Sequence, residues 1–158
     1  MNKKGHVLNA ALLSIGIGYV LEPAGDVPTF MKIIEVAPPV VLGALFPDVD
    51  TAFGRHRKTL HNLPVLAGFY AFPVFFGNLN FVWIGVLTHY VLDVFGSKRG
   101  IALFYPWDRE FSVPVGVATS SERAALVTTI ITGLEVAAIW VVVRYQLPVV
   151  NLGELTFF

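Results

Sequence analysis

Five apolar stretches joined by more polar connections make up just over half of this chain, at residues 7–21, 31–46, 63–77, 81–95 and 125–145. Apolar residues account for 55% of the sequence and charged ones for 14%. A soluble domain of 158 residues has more surface than so few charges can cover, so part of that surface must face lipid. The last stretch is long enough to cross a hydrocarbon core of about 30 Å as a helix. The other four, at ~15–17 residues, fall where a core helix competes with a span. Pro38-Pro39 and Pro73 lie inside two of them, which a membrane helix tolerates when neighbouring helices satisfy the freed backbone groups. The expected fold is all-α: a polytopic membrane bundle of about five segments, some short, tilted or kinked, forming one domain over residues 1–158. The first stretch follows Lys3 and Lys4 and could instead be a signal peptide, but Glu22-Pro23-Ala24-Gly25-Asp26 is a poor small-residue cleavage site.

Charge in the connections orients the bundle. If all five stretches span, one side receives Lys3, Lys4, Arg55, Arg57, Lys58, Lys98, Arg99, Arg109 and Arg123. The other receives Glu22, Asp26 and Lys32, the uncharged turn at Asn78 to Asn80, and the tail with Glu154. The excess of Lys and Arg assigns the first side to the cytoplasm, which places the N-terminus inside and the C-terminus outside. The formal net charge is zero, so no nucleic-acid partner is expected. Membrane lipid is the expected surrounding.

All four histidines fall on or near the cytoplasmic side in this arrangement. His6 opens the first stretch, His56 and His61 lie in the second cytoplasmic connection, and His89 is near the end of the fourth stretch. Asp48, Asp50 and Asp93 join them. His89 and Asp93 are four apart and share a helix face. Asp48 and Asp50 follow Pro47, where a helix is expected to end and an extended turn can aim both carboxylates one way. With no cysteine in the chain, His and Asp form a ligand set suited to Zn2+, with Mn2+ or Fe2+ as alternatives. Each piece has a plainer reading: His6 as an interfacial residue, Asp48 and Asp50 as solvated loop acids or a cap, and Arg55-His56-Arg57-Lys58 as a topology or headgroup signal. His89 with Asp93 resists it, because ionisable groups in an apolar span are costly and by default mark function. Glu135, in the fifth stretch, lacks a histidine neighbour and is read as pairing with a polar group on another helix. Phe104-Tyr105-Pro106-Trp107 reads as an interfacial aromatic anchor.

At these residues the sequence resembles the membrane-bound metal-dependent hydrolases of the YdjM-like, LexA-regulated family. The matching pieces are Gly5-His6-Val7; Gly43-Ala44-Leu45-Phe46-Pro47-Asp48-Val49-Asp50; His56-Arg57 with His61 five residues after His56; and Thr88-His89 with Asp93. Their order agrees over roughly residues 1–107. The chain departs from the family pattern at Lys58, Thr59, Leu60 and Asn62. The family is distantly similar to zinc-dependent phospholipases C, a likeness that implies phosphoester hydrolysis.

The function expected from residues and resemblance together is a membrane-embedded hydrolase holding one to three divalent metals, with zinc first, at the cytoplasmic interface. His6, Asp48, Asp50, His56, His61, His89 and Asp93 form the ligand pool, and Asp50 or Asp48 could act as general base instead of ligand. Arg57, Lys58 and Arg99 would neutralise a phosphate on a lipid or lipid-linked substrate. The rivals are a membrane protein whose metal site is structural or sensory, a metal or proton transporter, and a subunit of a larger membrane assembly.

Overall fold

The computed structural model describes residues 2–113, 116–118 and 120–145, all helical apart from loops and two isolated bridges. The tail with Glu154 lies outside the described residues. Five α-helices follow in order: α1 (Lys3–Leu21), α2 (Val27–Leu45), α3 (Leu63–Phe76), α4 (Val82–Phe95) and α5 (Ala124–Arg144). They correspond one to one with the five apolar stretches.

Two of the helices are longer than their apolar stretches. A helix begins at its cap, whereas apolar residues begin where lipid does. The Asn2 side chain accepts from Gly5 N–H at 2.9 Å, so α1 starts ahead of Val7. Asp26 accepts from Thr29 N–H at 3.3 Å, and Pro28 occupies the first turn of α2, where its missing N–H costs nothing. At 19 residues each, α1 and α2 therefore join α5 as helices long and apolar enough to cross a membrane. Helix α2 runs without interruption through Pro38 and Pro39.

The expected extended turn after Pro47 is instead a 3-10 turn, Pro47–Ala52. Phe46 keeps helical dihedrals, and Pro47, which has no N–H to place, fits the first position of a new helical turn. The chain thus tightens rather than extends, carrying Asp48 and Asp50 round with it.

Helices α3 and α4 have 14 residues each, about 21 Å of length, short of a full crossing. They form a hairpin whose connection uses left-handed backbone at Gly77, Leu79 and Phe81. Within α3 only Pro73 is buried, and Val74, Phe75 and Phe76 stand exposed, as expected of a face turned to lipid. Helix α4 is the reverse. It packs against all four other helices, and Val82 to Val86, Thr88, His89, Tyr90, Leu92 and Asp93 are buried.

Helices α2 and α4 meet backbone to backbone. A Cβ on Gly43 would collide with the Val82 carbonyl, and one on Gly85 with the Val40 carbonyl and the Ala44 amide. This contact sits beside a core of Ala10, Leu13, Ile17, Val36, Val40 and Ala44, the small-residue packing by which apolar helices approach in a membrane. It also brings the start of the 3-10 turn alongside the last turns of α4. Gly85→Leu should therefore separate the two helices and lower the midpoint of thermal unfolding in detergent, consistent with an overpacking cost of about 1–3 kcal/mol. Gly68→Ala and Gly133→Ala, where an added Cβ meets nothing within 4 Å, should leave it unchanged. An unaltered midpoint for Gly85→Leu would contradict the close approach.

Candidate metal centre

All seven candidate ligands come together at one end of the bundle, where α1, α3 and α5 begin and α2 and α4 end. His6 stacks on His89, with ring centroids 3.7 Å apart and planes within 7°. His61 Nε2 lies 3.1 Å from His89 Nε2, 3.9 Å from Asp48 Oδ1 and 3.8 Å from Asp93 Oδ2. His89 Nε2 is 3.8 Å from Asp48 Oδ1 and 3.7 Å from Asp93 Oδ2. His56 closes the group, its Nδ1 3.1 Å from Asp50 Oδ1 and 3.9 Å from Asp48 Oδ1.

The partners behind the rings decide what faces the centre. His89 Nδ1 is 2.6 Å from the Ala44 carbonyl, which can only accept, so the proton is on Nδ1. His61 Nδ1 is 2.9 Å from Asp50 Oδ2, and the same reasoning puts its proton there. Burial, reinforced by the neighbouring His89 ring, pushes the His61 imidazole down to about 4, so it is neutral at physiological pH. With both rings neutral, the two Nε2 atoms present lone pairs to each other at 3.1 Å, an arrangement that repels unless a proton or a metal cation stands between them. His6 is 1% exposed, yet neither ring nitrogen makes a hydrogen bond. Its Nε2 lies 3.5 Å from Asp93 Oδ1. Buried polar atoms without partners are uncommon and call for an explanation.

A divalent cation fits this donor set. Donors placed tetrahedrally about 2.1 Å from Zn2+ stand about 3.4 Å from one another, and the spacings of His61 and His89 from each other and from Asp48 and Asp93 run from 3.1 to 3.9 Å. Two groups have donor atoms all within 4.8 Å of one another and could each hold an ion: His6, His89 and Asp93, and Asp48, His56 and His61. Asp50 belongs to neither. It is fully buried, its two oxygens face His56 and His61, and Oδ2 also accepts from the Leu60 N–H at 3.4 Å. It orients two imidazoles from behind, as carboxylates do around metal-binding histidines. The centre is closed on the His6 side and open on the other, with the His56 side chain 42% exposed and that of Asp48 12%.

The three basic residues expected at the substrate occupy different surroundings. Arg57 is buried, and its guanidinium donates to the Arg99 carbonyl at 2.5 Å, to Ser97 Oγ at 3.2 Å and to Asp93 Oδ1 at 3.5 Å. It ties the His56–His61 loop to the segment that follows α4. Lys58 pairs with Asp108 at 3.3 Å near the surface, and Arg99 is exposed. Phe104 and Trp107 are exposed on the same loop layer, with Arg109 over the Trp107 and Phe111 rings.

Some supporting residues had no sequence signal of their own. Tyr90 Oη donates to the Leu60 carbonyl at 2.5 Å and accepts from the Asn62 N–H at 3.2 Å, fixing the backbone on both sides of His61. Asn62, one of the departures from the family pattern, caps α3 through Val65 N–H and holds the Lys58 and Thr59 carbonyls. A hydroxyl next to His89 inside an apolar span was the only trace of the first.

Comparison with curated proteins and with solved structures finds no match to either. A protein family does match, over residues 1–152, which takes in α5 as well as the motifs that end before residue 107. The chain belongs to the YdjM inner membrane protein family.

Proposed function

We propose that this inner-membrane-family protein is a metal-dependent hydrolase that cleaves a phosphoester, in a lipid or a lipid-linked molecule, at the depth of the cytoplasmic headgroups. The observation that carries the reading is the close approach of two imidazole nitrogens, His61 Nε2 and His89 Nε2, ringed by Asp48, Asp93 and the buried His6, whose nitrogens make no hydrogen bond. More donors converge there than the four that close a structural zinc site, and the His56 and Asp48 side stays accessible, as a catalytic site requires. The distant resemblance of the family to zinc-dependent phospholipases C, read from the sequence, would imply the same bond class.

His6, His61, His89, Asp93 and Asp48 would hold the ion or ions, with His56 at the open edge. A bound divalent cation supplies a water acidic enough to attack at neutral pH and polarises the scissile P–O bond. Asp48 is the carboxylate at the mouth and can take a proton from the attacking group. Asp50 acts through His56 and His61, keeping their Nδ1 protons in place. Lys58 and Arg99 would neutralise a substrate phosphate, and Arg57 would serve by holding the His56–His61 loop to Asp93. The basic connections put this end of the bundle in the cytoplasm.

Purified protein should carry Zn2+ or Mn2+ in stoichiometric amount by elemental analysis, and His89→Ala with Asp93→Ala should remove most of it. Unchanged metal content in that double variant would refute the ligand assignment. Metal-loaded protein should hydrolyse at least one of a panel of phospholipids and phosphodiesters, and Asp48→Asn should lower the rate by about 100-fold or more. Bound metal without turnover on any substrate would make the centre structural. Because the chain has no cysteine, Arg55→Cys gives a single thiol at an exposed site. It should react with an impermeant maleimide only once the cytoplasmic face is opened, and labelling from outside would reverse the orientation.

A further inference from the structure

Beneath the metal centre, one layer deeper in the bundle, lies a second buried polar group that the proposed chemistry does not use. Glu135 of α5 points between α1 and α4. Its Oε1 is 2.7 Å and its Oε2 2.8 Å from Thr88 Oγ1, and Oε2 is 3.1 Å from Asn9 Nδ2. Thr88 Oγ1 is also 3.0 Å from Asn9 Oδ1. Asn9 and Thr88 are fully or almost fully buried. Thr88 precedes His89 on α4, and Asn9 lies three residues after His6 on α1, less than one turn from it. The pairing expected of Glu135 with a polar group on another helix is thus made to Thr88 of α4 and Asn9 of α1.

Hydrogens in this group can be counted. With Glu135 ionised, three acceptor atoms, Oε1, Oε2 and Asn9 Oδ1, surround the single hydroxyl hydrogen of Thr88 within 3.0 Å. Two of them would then face an oxygen lone pair at close range, and the group would hold a bare charge inside an apolar span. A proton on Glu135 removes the bare charge and supplies a hydrogen to one of the two unmatched contacts. Glu135 Oε1–H donates to Thr88 Oγ1, Thr88 donates to Asn9 Oδ1, and Asn9 Nδ2–H donates to Glu135 Oε2, a closed ring in which each member donates once and accepts once. Three helices contribute one member each.

We propose that Glu135, as the neutral acid, closes a hydrogen-bonded ring with Thr88 and Asn9 that sets the register of α1 against α4 and so positions His6 and His89 for metal. Glu135 is a positioning residue in this scheme, which rests on the metal-centre reading above. A ring satisfied throughout has one geometry, and the residues it holds are the immediate neighbours, in sequence, of two stacked ligands. A glutamine at 135 reproduces the ring, its amide N–H replacing the acid O–H. A leucine cannot.

The test uses full-length protein in detergent, with Co2+ as a spectroscopic substitute. Glu135→Gln should bind Co2+ with affinity within about twofold of the parent and with the same visible spectrum, since the ring survives. Glu135→Leu and Thr88→Val should weaken binding by about tenfold or more, as loss of outer partners does at metal sites, and should shift the spectrum, while Thr88→Ser should not. Infrared spectra of the parent should show the carbonyl stretch of a protonated carboxyl that Glu135→Gln removes. Loss of Co2+ affinity in Glu135→Gln, or the absence of that band, would overturn the neutral ring. Unchanged affinity and spectrum in Glu135→Leu would overturn the positioning role. If Glu135→Leu does not fold, the glutamine variant and the infrared band decide. A parent that binds no Co2+ refutes the metal reading and the positioning role with it, whereas a parent that binds while the leucine variant binds equally refutes the positioning role alone.

Discussion

Two ring nitrogens stripped of their protons by the groups behind them, His61 Nε2 and His89 Nε2, face each other at 3.1 Å. Left alone, that contact costs energy, and little nearby can relieve it. Both rings are fully buried, so water does not dilute the repulsion. Protonating His61 would place a charge where burial and the neighbouring imidazole already disfavour one. A divalent cation converts the same contact into an attraction and takes up the carboxylates of Asp48 and Asp93 as well. An ion held there would stabilise the fold through the same contacts, linking metal and fold thermodynamically.

What holds the rings in so unfavourable a position is the scaffold around them. Helices α2 and α4 touch at Gly43 and Gly85, and that approach lets the Ala44 carbonyl take the His89 proton. The 3-10 turn starting at Pro47 swings Asp50 under His61 and His56. Tyr90, from the neighbouring position on α4, grips the loop backbone at Leu60 and Asn62. Arg57 fastens the loop from its other side, to Ser97 and Arg99. Each tie is a modest interaction of about 1 kcal/mol or so. Together they leave His61 one place to go.

Much of this was legible beforehand. The five helices follow from apolar stretches, and the i,i+4 pair of His89 and Asp93 from helical periodicity. That all the histidines would meet followed from alternating the spans and counting which end each one reached. Local readings failed where the outcome depends on inter-helix register. Nothing about Arg57 as a residue says that a left-handed backbone and four oxygen acceptors await it. Asp50 looks like Asp48 in sequence, yet burial makes one an orienter and leaves the other at the mouth. The starts of α1 and α2 were misplaced because Asn2 and Asp26 are caps, and a cap carries no apolar signature. Glu135 was expected to pair with a polar group on another helix, and does, but Thr88 and Asn9, both uncharged, give no hint in sequence that they are the partners.

The donors around the metal centre come from α1, the 3-10 turn, the loop before α3, and α4. None comes from α5. An ion bound there would tie the first four elements together and leave α5 held by other means, which among the described polar contacts are those of Glu135 with Asn9 and Thr88. Lipid offers no hydrophobic force to press α5 inwards, because hydrocarbon surrounds its outer face as readily as neighbouring helices surround its inner one. Close packing, as where Val136 fills the space beside Gly16, and internal hydrogen bonds must therefore do it. That makes α5 the element whose seating answers least to the metal and most to its own polar contact, and it explains why an acid is kept inside an apolar helix at all.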